Sequence, residues 1–187
     1  MEKKIIIAGS GGQGILFFGK ILAFTSMLEG KEVTWFPSYG AEMRGGTANC
    51  TVIISDNMIG SPVVFSPDIL IVMNKASLDK FQNMLIKRGL MFLDSSLIIN
   101  PDLRKDTRVV QVPATKIAGL LGNTKSANMV MLGALIARTG FLKKSSIVDI
   151  FKDCSVKMGN NGSVININSF LEGIKYIEDT ESRHLRP

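Results

Sequence analysis

The chain has 187 residues, 45% hydrophobic and 20% charged, enough for one well-cored globular domain and short for two. Its net charge of +6 is scattered: Arg104, Lys105 and Arg108 stand among Asp102 and Asp106, and Lys143-Lys144 stands alone, so no basic stripe marks a nucleic-acid surface. The longest apolar stretch, 129–137, falls far short of the ~20 residues that cross a bilayer, and neither a signal segment nor a disulfide framework is visible. The expectation is a cytoplasmic protein whose excess charge meets a polyanionic cofactor or an acidic partner chain.

Strands and helices alternate along the chain. The apolar run at 4–8 predicts a first strand, which leads through Gly9-Ser10-Gly11-Gly12-Gln13-Gly14 into a helix over 13–29. That helix is apolar on most sides, with Ile15, Phe18 and Leu22 on one stripe and Phe17, Ile21, Phe24 and Leu28 on another. It is either central to the core or covered by another chain. A strand at 32–36 runs into a second small-residue segment, 37–46, and a strand follows at 47–55. Asp56-Asn57 predicts a tight turn joining that strand to 58–60 as a candidate antiparallel edge. Further strands are predicted at 69–73, 91–94 and 108–112, and helices at 75–88, 114–121, 126–139, 145–158 and 163–178. In the 75–88 helix Leu78, Phe81 and Leu85 mark the buried face. Ile69-Leu70-Ile71-Val72-Met73 is apolar throughout, the mark of a sheet covered on both faces. The pattern predicts a three-layer, doubly wound α/β fold on a mostly parallel, Rossmann-like sheet. One domain spans 1–178, with a polar tail over 179–187.

Both glycine segments follow strands, where open α/β sheets place their ligands. Gly9, Gly11 and Gly14 have the spacing that brings backbone close to a phosphate at a helix N-terminus. The same spacing also serves a strand–helix turn with no ligand. Gln13 adds a side-chain donor at the mouth of the loop, for a ligand or a partner. An ordinary dinucleotide site needs a carboxylate at the end of the second strand. Thr34-Trp35-Phe36-Pro37 offers none there, and Glu32 precedes the strand.

In the second segment Pro37 stops the strand, and Gly40, Gly45 and Gly46 allow a turn or a close approach. Glu42 and Arg44 either pair with each other on the surface, or Arg44 grips a phosphate through its planar fork. The residues alone leave both open. Trp35 is a core residue or a platform for adenine or a partner. Cys50 and Cys154 read as small core residues, and the 10 methionines as core filling. His184, the only histidine, falls in the polar tail. No catalytic acid or base and no metal-ligand set emerges.

Together, Gly-x-Gly-Gly-Gln-Gly at 9–14 and Pro-Ser-Tyr-Gly-x-Glu-Met-Arg-Gly-Gly-Thr-Ala-Asn-Cys at 37–50 resemble the gamma subunit of the 2-oxoacid:ferredoxin oxidoreductases. Asn128, followed by Leu132-Gly133-Ala134, is similar to that family's C-terminal half. The resemblance covers roughly residues 1–175 and is greatest to the gamma subunit of the 2-oxoglutarate enzyme. It implies an accessory subunit of a complex that oxidatively decarboxylates a 2-oxoacid, passes the acyl group to coenzyme A and sends electrons to ferredoxin. Thiamine diphosphate and iron–sulfur clusters would belong to the partners: alpha and beta thiamine-binding subunits and a ferredoxin-like subunit. This chain has Asn160-Asn161 without the Gly-Asp-Gly that accompanies it in thiamine sites, and too few thiolates for a cluster. The resemblance assigns the coenzyme A side of the active site to this domain, carried onto Gly11, Gly12, Gln13, Gly14, Glu42 and Arg44. Two other readings stand beside it. One is a free-standing nicotinamide-dependent oxidoreductase with an unusual ribose contact; the other is a nucleotide- or phosphate-binding interaction module outside any enzyme complex.

Overall fold

The computed structural model describes residues 1–38, 47–153 and 160–184. Four strands run parallel to one another: β1 (Glu2–Ser10), β4 (Ile69–Val72), β5 (Leu90–Asp94) and β6 (Arg108–Val112). The remaining two are β2 (Glu32–Ser38) and β3 (Thr47–Ser55), and the sheet order is β2-β3-β1-β4-β5-β6. β3 lies antiparallel to both of its neighbours, with Ser10 opposite Thr47 and Ser38 opposite Asn49. The antiparallel character expected of 47–55 is therefore present, but the hairpin to 58–60 is not. Both hydrogen-bonding edges of β3 are taken by β1 and β2, so 58–60 finds no edge to join and forms no strand.

The helices cover the two faces unequally. α1 (Ile15–Leu28), α3 (Ala114–Leu120), α4 (Ala127–Thr139), α5 (Lys144–Asp153) and α6 (Asn160–His184) build one layer. The short helix α2 (Lys75–Phe81), with irregular chain around Val64 and Ile98, builds the other. Alternation along β1 serves both: Ile5 and Ile7 enter the thicker core, Ile6 and Ala8 the thinner one, and none is more than 2% exposed. No helix among the described residues is long and apolar enough to cross a membrane.

Two helices depart from the expected bounds. Leu78, Phe81 and Leu85 are buried as predicted, but α2 stops at Phe81 and tightens into a 3-10 turn over Gln82–Met84. The Arg104 guanidinium, from a distant loop, donates to the carbonyls of Gln82 at 3.0 Å and Leu85 at 2.8 Å and so finishes the helix early. At the other end of the chain α6 continues through His184, into the stretch read as a polar tail, and Glu181 there pairs with Arg138 at 2.8 Å. α5 ends at Asp153 within the described residues, and the rest of the expected 145–158 helix lies outside them.

α4 is the central helix of the thicker layer, buried without a break from Ala127 to Ile136. Its crossing with α6 depends on two glycines. A Cβ at Gly133 would fall inside contact distance of the Phe170 carbonyl oxygen, and one at Gly173 inside that of Val130. Backbone cannot rotate away as a side chain can, so a methyl here must push the helices apart. Gly133→Ala should therefore destabilise the protein by about 3 kcal/mol, near the upper end of ordinary overpacking. Gly119→Ala, whose methyl would stand 3.5 Å from Thr124 Cγ2, should be neutral or stabilising by up to ~1 kcal/mol. Urea melts of the two variants check this, and equal midpoints would show that the crossing has room to spare.

Candidate functional site

The parallel strands end together at one pole of the sheet. From neighbouring β1 and β4 the chain departs to opposite faces, into α1 and α2, which makes the gap between them the topological switch point. The glycine loop fills that gap, and side-chain amides fix it. Gln13 Oε1 accepts from the Ser10 N–H at 2.6 Å, and Gln13 Nε2 donates to the Met73 carbonyl at 3.0 Å. Asn74 caps α2 by accepting from the Ser77 N–H at 2.8 Å, and its Nδ2 donates to Ser10 Oγ. Asn128, at the start of α4, donates to the Gly14 carbonyl at 3.0 Å.

The glycines divide by role. Gly14 has φ 69 and ψ 27, a left-handed conformation that suits glycine, and a Cβ there would run into the Asn128 amide. At Gly9 a Cβ would stand 2.6 Å from Gln13 Oε1 and 2.7 Å from Ile15 Cδ1. Those two positions are small because the protein itself packs against them. Gly11 and Gly12 are exposed, and nothing lies within 4 Å of the Cβ position of Gly12, whose φ is +88. α1 begins just behind them with no side-chain cap and no acidic residue in its first turn. Its unpaired N–H groups and the positive end of its dipole thus suit an anion.

A pocket of about 210 Å³ lies beside the exposed glycines, lined among others by Gly12, Gln13, Thr115, Thr124 and Lys125, the last its only charged lining residue among the described residues. The fully buried Asp94, at the end of β5, positions one wall. It accepts from Thr115 N–H at 3.1 Å, Thr115 Oγ1 at 2.5 Å and Ser96 N–H at 3.0 Å. The space is smaller than the usual 300–1,000 Å³ of a small-molecule pocket and fits a phosphate group rather than a whole nucleotide. Asn74, Asp94, Thr115, Thr124 and Lys125 were not singled out from sequence; the one local signal was a carboxylate at the end of a predicted strand. Glu42 and Arg44 lie outside the described residues. The flanks of their segment, Ser38 and Thr47, stand at the same pole, with Thr47 paired to Ser10 at the start of the glycine loop.

The pyruvate ferredoxin/flavodoxin oxidoreductase family model matches residues 4–176. The chain belongs to that family. It is 34% identical over 184 residues to the 2-oxoglutarate synthase subunit KorC of Methanothermobacter thermautotrophicus, covering 95% of this chain and 96% of that one. The ketoisovalerate oxidoreductase subunit VorA of the same organism is 41% identical over 136 residues, but the chain spans only 28% of VorA's length. Among solved structures, the keto/oxoacid ferredoxin oxidoreductase gamma subunit of Geobacter sulfurreducens aligns with a TM-score of 0.80 at 27% identity, over 95% of this chain and 99% of that one. The 2-oxoglutarate:ferredoxin oxidoreductase of Magnetococcus marinus, solved with 2-oxoglutarate, coenzyme A and succinyl-CoA bound, shares the fold with a TM-score of 0.87 at 23% identity, over 95% of this chain and 31% of that one.

The geometry counts against an ordinary nicotinamide site. β3 separates β2 from β1, so the end of β2 stands two strand spacings, about 10 Å, from the glycine loop. Trp35 is half-buried against the core, its ring edge packed on Gly19 of α1, with Lys20 Nζ 5.2 Å from its ring centroid. Cys50 is buried beneath the same helix, and desolvation pushes its thiol up to about 12, which leaves it unreactive at neutral pH. α1 has Ile15, Phe18, Ile21 and Leu22 in the core, while Phe24, Met27 and Leu28 are exposed at its far end.

Because Asn128 fills the space that Gly14 leaves, the two positions should be coupled. Gly14→Ala should destabilise by about 3 kcal/mol, ~1–2 from the left-handed backbone and the rest from the clash. In an Asn128→Ala background the same change should incur only the backbone part. A double-mutant cycle on urea midpoints measures the difference, and strict additivity would mean the two do not touch.

Proposed function

We propose that this chain is the accessory gamma subunit of a multi-subunit 2-oxoacid:ferredoxin oxidoreductase, with 2-oxoglutarate as its 2-oxoacid, and that the glycine loop serves the coenzyme A side of the active site. The observation that carries the reading is the loop itself. It is held at the switch point by Gln13, Asn74 and Asn128, yet Gly11 and Gly12 stay open beside an uncapped helix N-terminus and Lys125. The match to KorC over nearly the full length of both chains supports the choice of 2-oxoacid.

The residues fit an anionic group. Gly11 and Gly12 would offer backbone N–H donors to a phosphate of coenzyme A, Lys125 would neutralise it, and Thr115 and Thr124 would supply hydroxyls. Coenzyme A, when bound, supplies the thiol that takes up the acyl group. Gln13 holds the loop rather than the ligand, since both ends of its amide are engaged with backbone. Glu42 and Arg44 serve as contacts to coenzyme A or to a partner chain from the neighbouring segment. In this reading thiamine diphosphate sits on the alpha and beta subunits, the clusters on a ferredoxin-like subunit, and ferredoxin accepts the electrons in the cytoplasm.

Affinity purification of the tagged chain from its native host, followed by assay with several 2-oxoacids, tests the proposal. The purified single chain should be inactive with added thiamine diphosphate and acceptor. The recovered complex should oxidise 2-oxoglutarate in a coenzyme A-dependent way. Arg44→Ala should lower activity or assembly tenfold or more, about 1.4 kcal/mol, and Arg44→Lys should restore only part of it because an ammonium lacks the planar fork. Turnover by the isolated chain, or an Arg44→Ala complex that assembles and turns over normally, would refute it.

A further inference from the structure

Positive charge collects at the pole opposite the glycine loop. A cavity of about 570 Å³ opens where β1, β4 and β5 begin and α4 ends. Lys3, Arg88, Arg108 and Arg138 line it, against a single carboxylate among the described residues, Asp68. Arg138 is paired with Glu181 at 2.8 Å, and Asp68 Oδ2 accepts the Lys4 N–H at 2.8 Å. The nearby Asp106 is bonded to Arg104. Among the described residues no ion pair engages Lys3, Arg88 or Arg108.

The two arginines are also held together. Arg108 Nε donates to the Arg88 carbonyl at 3.0 Å, and the Arg88 N–H donates to the Asp106 carbonyl at 2.7 Å. Arg88 has φ 60, one of two described non-glycine residues at positive φ. Glycine would fit that backbone more easily, so the arginine is maintained against a conformational penalty. Two carbonyls near the end of α4, a helix end whose dipole disfavours an anion, are engaged: Leu135 by the Thr139 hydroxyl at 2.6 Å and Ile136 by the Gly140 N–H at 2.9 Å. Ile69, Ile86, Leu90 and Phe141 make the rest of the wall apolar.

We infer that this cavity is a second anion site, which takes a phosphate ester with an apolar or aromatic body, of the nucleoside diphosphate class. Guanidinium forks bind phosphate oxygens in pairs, and clustered cations over a low-dielectric wall attract anions strongly. The volume suits a ligand of that size, and the apolar wall gives the body a surface that a bare inorganic ion would leave wet. Lys3 and Ser10 stand near opposite ends of β1, about 23 Å apart at ~3.3 Å per residue, so this site is separate from the glycine loop. It goes beyond the proposed role in the complex and does not depend on it.

Isothermal titration of the full chain with ADP, pyrophosphate and adenosine, in 0.15 M salt with matched sulfate, tests the inference. ADP should bind, pyrophosphate should bind at least fivefold more weakly, and adenosine should not bind. Arg88→Gly and Arg108→Ala should each weaken ADP tenfold or more. Arg88→Gly should melt at or above the wild type, which separates lost binding from lost folding. Lys125→Ala should leave the Arg88- and Arg108-dependent binding of ADP unchanged, which separates this site from the glycine loop even if that loop takes up ADP of its own. Absence of ADP binding, binding indifferent to both arginine variants, or loss on Lys125→Ala instead would overturn it. Pyrophosphate as tight as ADP would overturn the apolar body, and capture of a polyglutamate peptide with ADP silent would overturn the small ligand in favour of an acidic chain.

Discussion

Side-chain amides at the switch point impose the constraint on which the functional end of the molecule depends. A glycine loop between strand and helix has backbone groups that neither the sheet nor the helix can pair, and glycine makes it conformationally expensive to order. Gln13 closes the loop on Ser10 and ties it to the end of β4. Asn74 adds a bond to Ser10 from the first turn of α2, and Asn128 holds Gly14 from α4. With both shoulders fixed, only Gly11 and Gly12 stay exposed. A loop ordered in advance in this way can present N–H groups to an anion without a further loss of entropy on binding.

That constraint reaches well into the thicker layer. Asn128 is correctly placed only if α4 lies at its present depth, and that depth is set by backbone contact with α6 through Gly133 and Gly173. Ser169 on α6 donates to Ser126 at 2.7 Å, at the entry to α4, which fixes the axial register of the pair. The glycine loop is thus supported by residues more than 100 positions away, as the Asn128–Gly14 separation of 114 shows. A change in the far helix layer should be felt at the loop.

The strands were legible because apolar runs buried on both faces carry a strong local signal: β4 and β5 stand almost as expected, while β1, expected at 4–8, extends to Glu2–Ser10. The place of β3 was not, since the Asp56-Asn57 turn signal is local and does not say which strands flank 47–55. The early end of α2 was hidden for a related reason: Arg104, which takes its last carbonyls, comes from a loop some 20 residues on. At the site, glycine spacing pointed to the loop because that geometry is local. Gln13 has the chemistry of a donor to a ligand or a partner chain, whereas its bonds within the structure go to the backbone of Ser10 and Met73, the latter 60 residues away. Lys125, Thr115 and Thr124 converge from separate segments, and nothing in their own neighbourhoods marked them.

In the proposed assembly the glycine loop faces coenzyme A. Hydrogen–deuterium exchange of the complex, read on the peptide spanning residues 9–18 with and without coenzyme A, tests it most directly. Slower exchange at Gly11 and Gly12 on adding coenzyme A, with the already bonded Ser10 N–H unchanged, is the result this account predicts. Exchange that is unaltered there while a partner chain becomes protected would contradict it and reduce the loop to a structural turn.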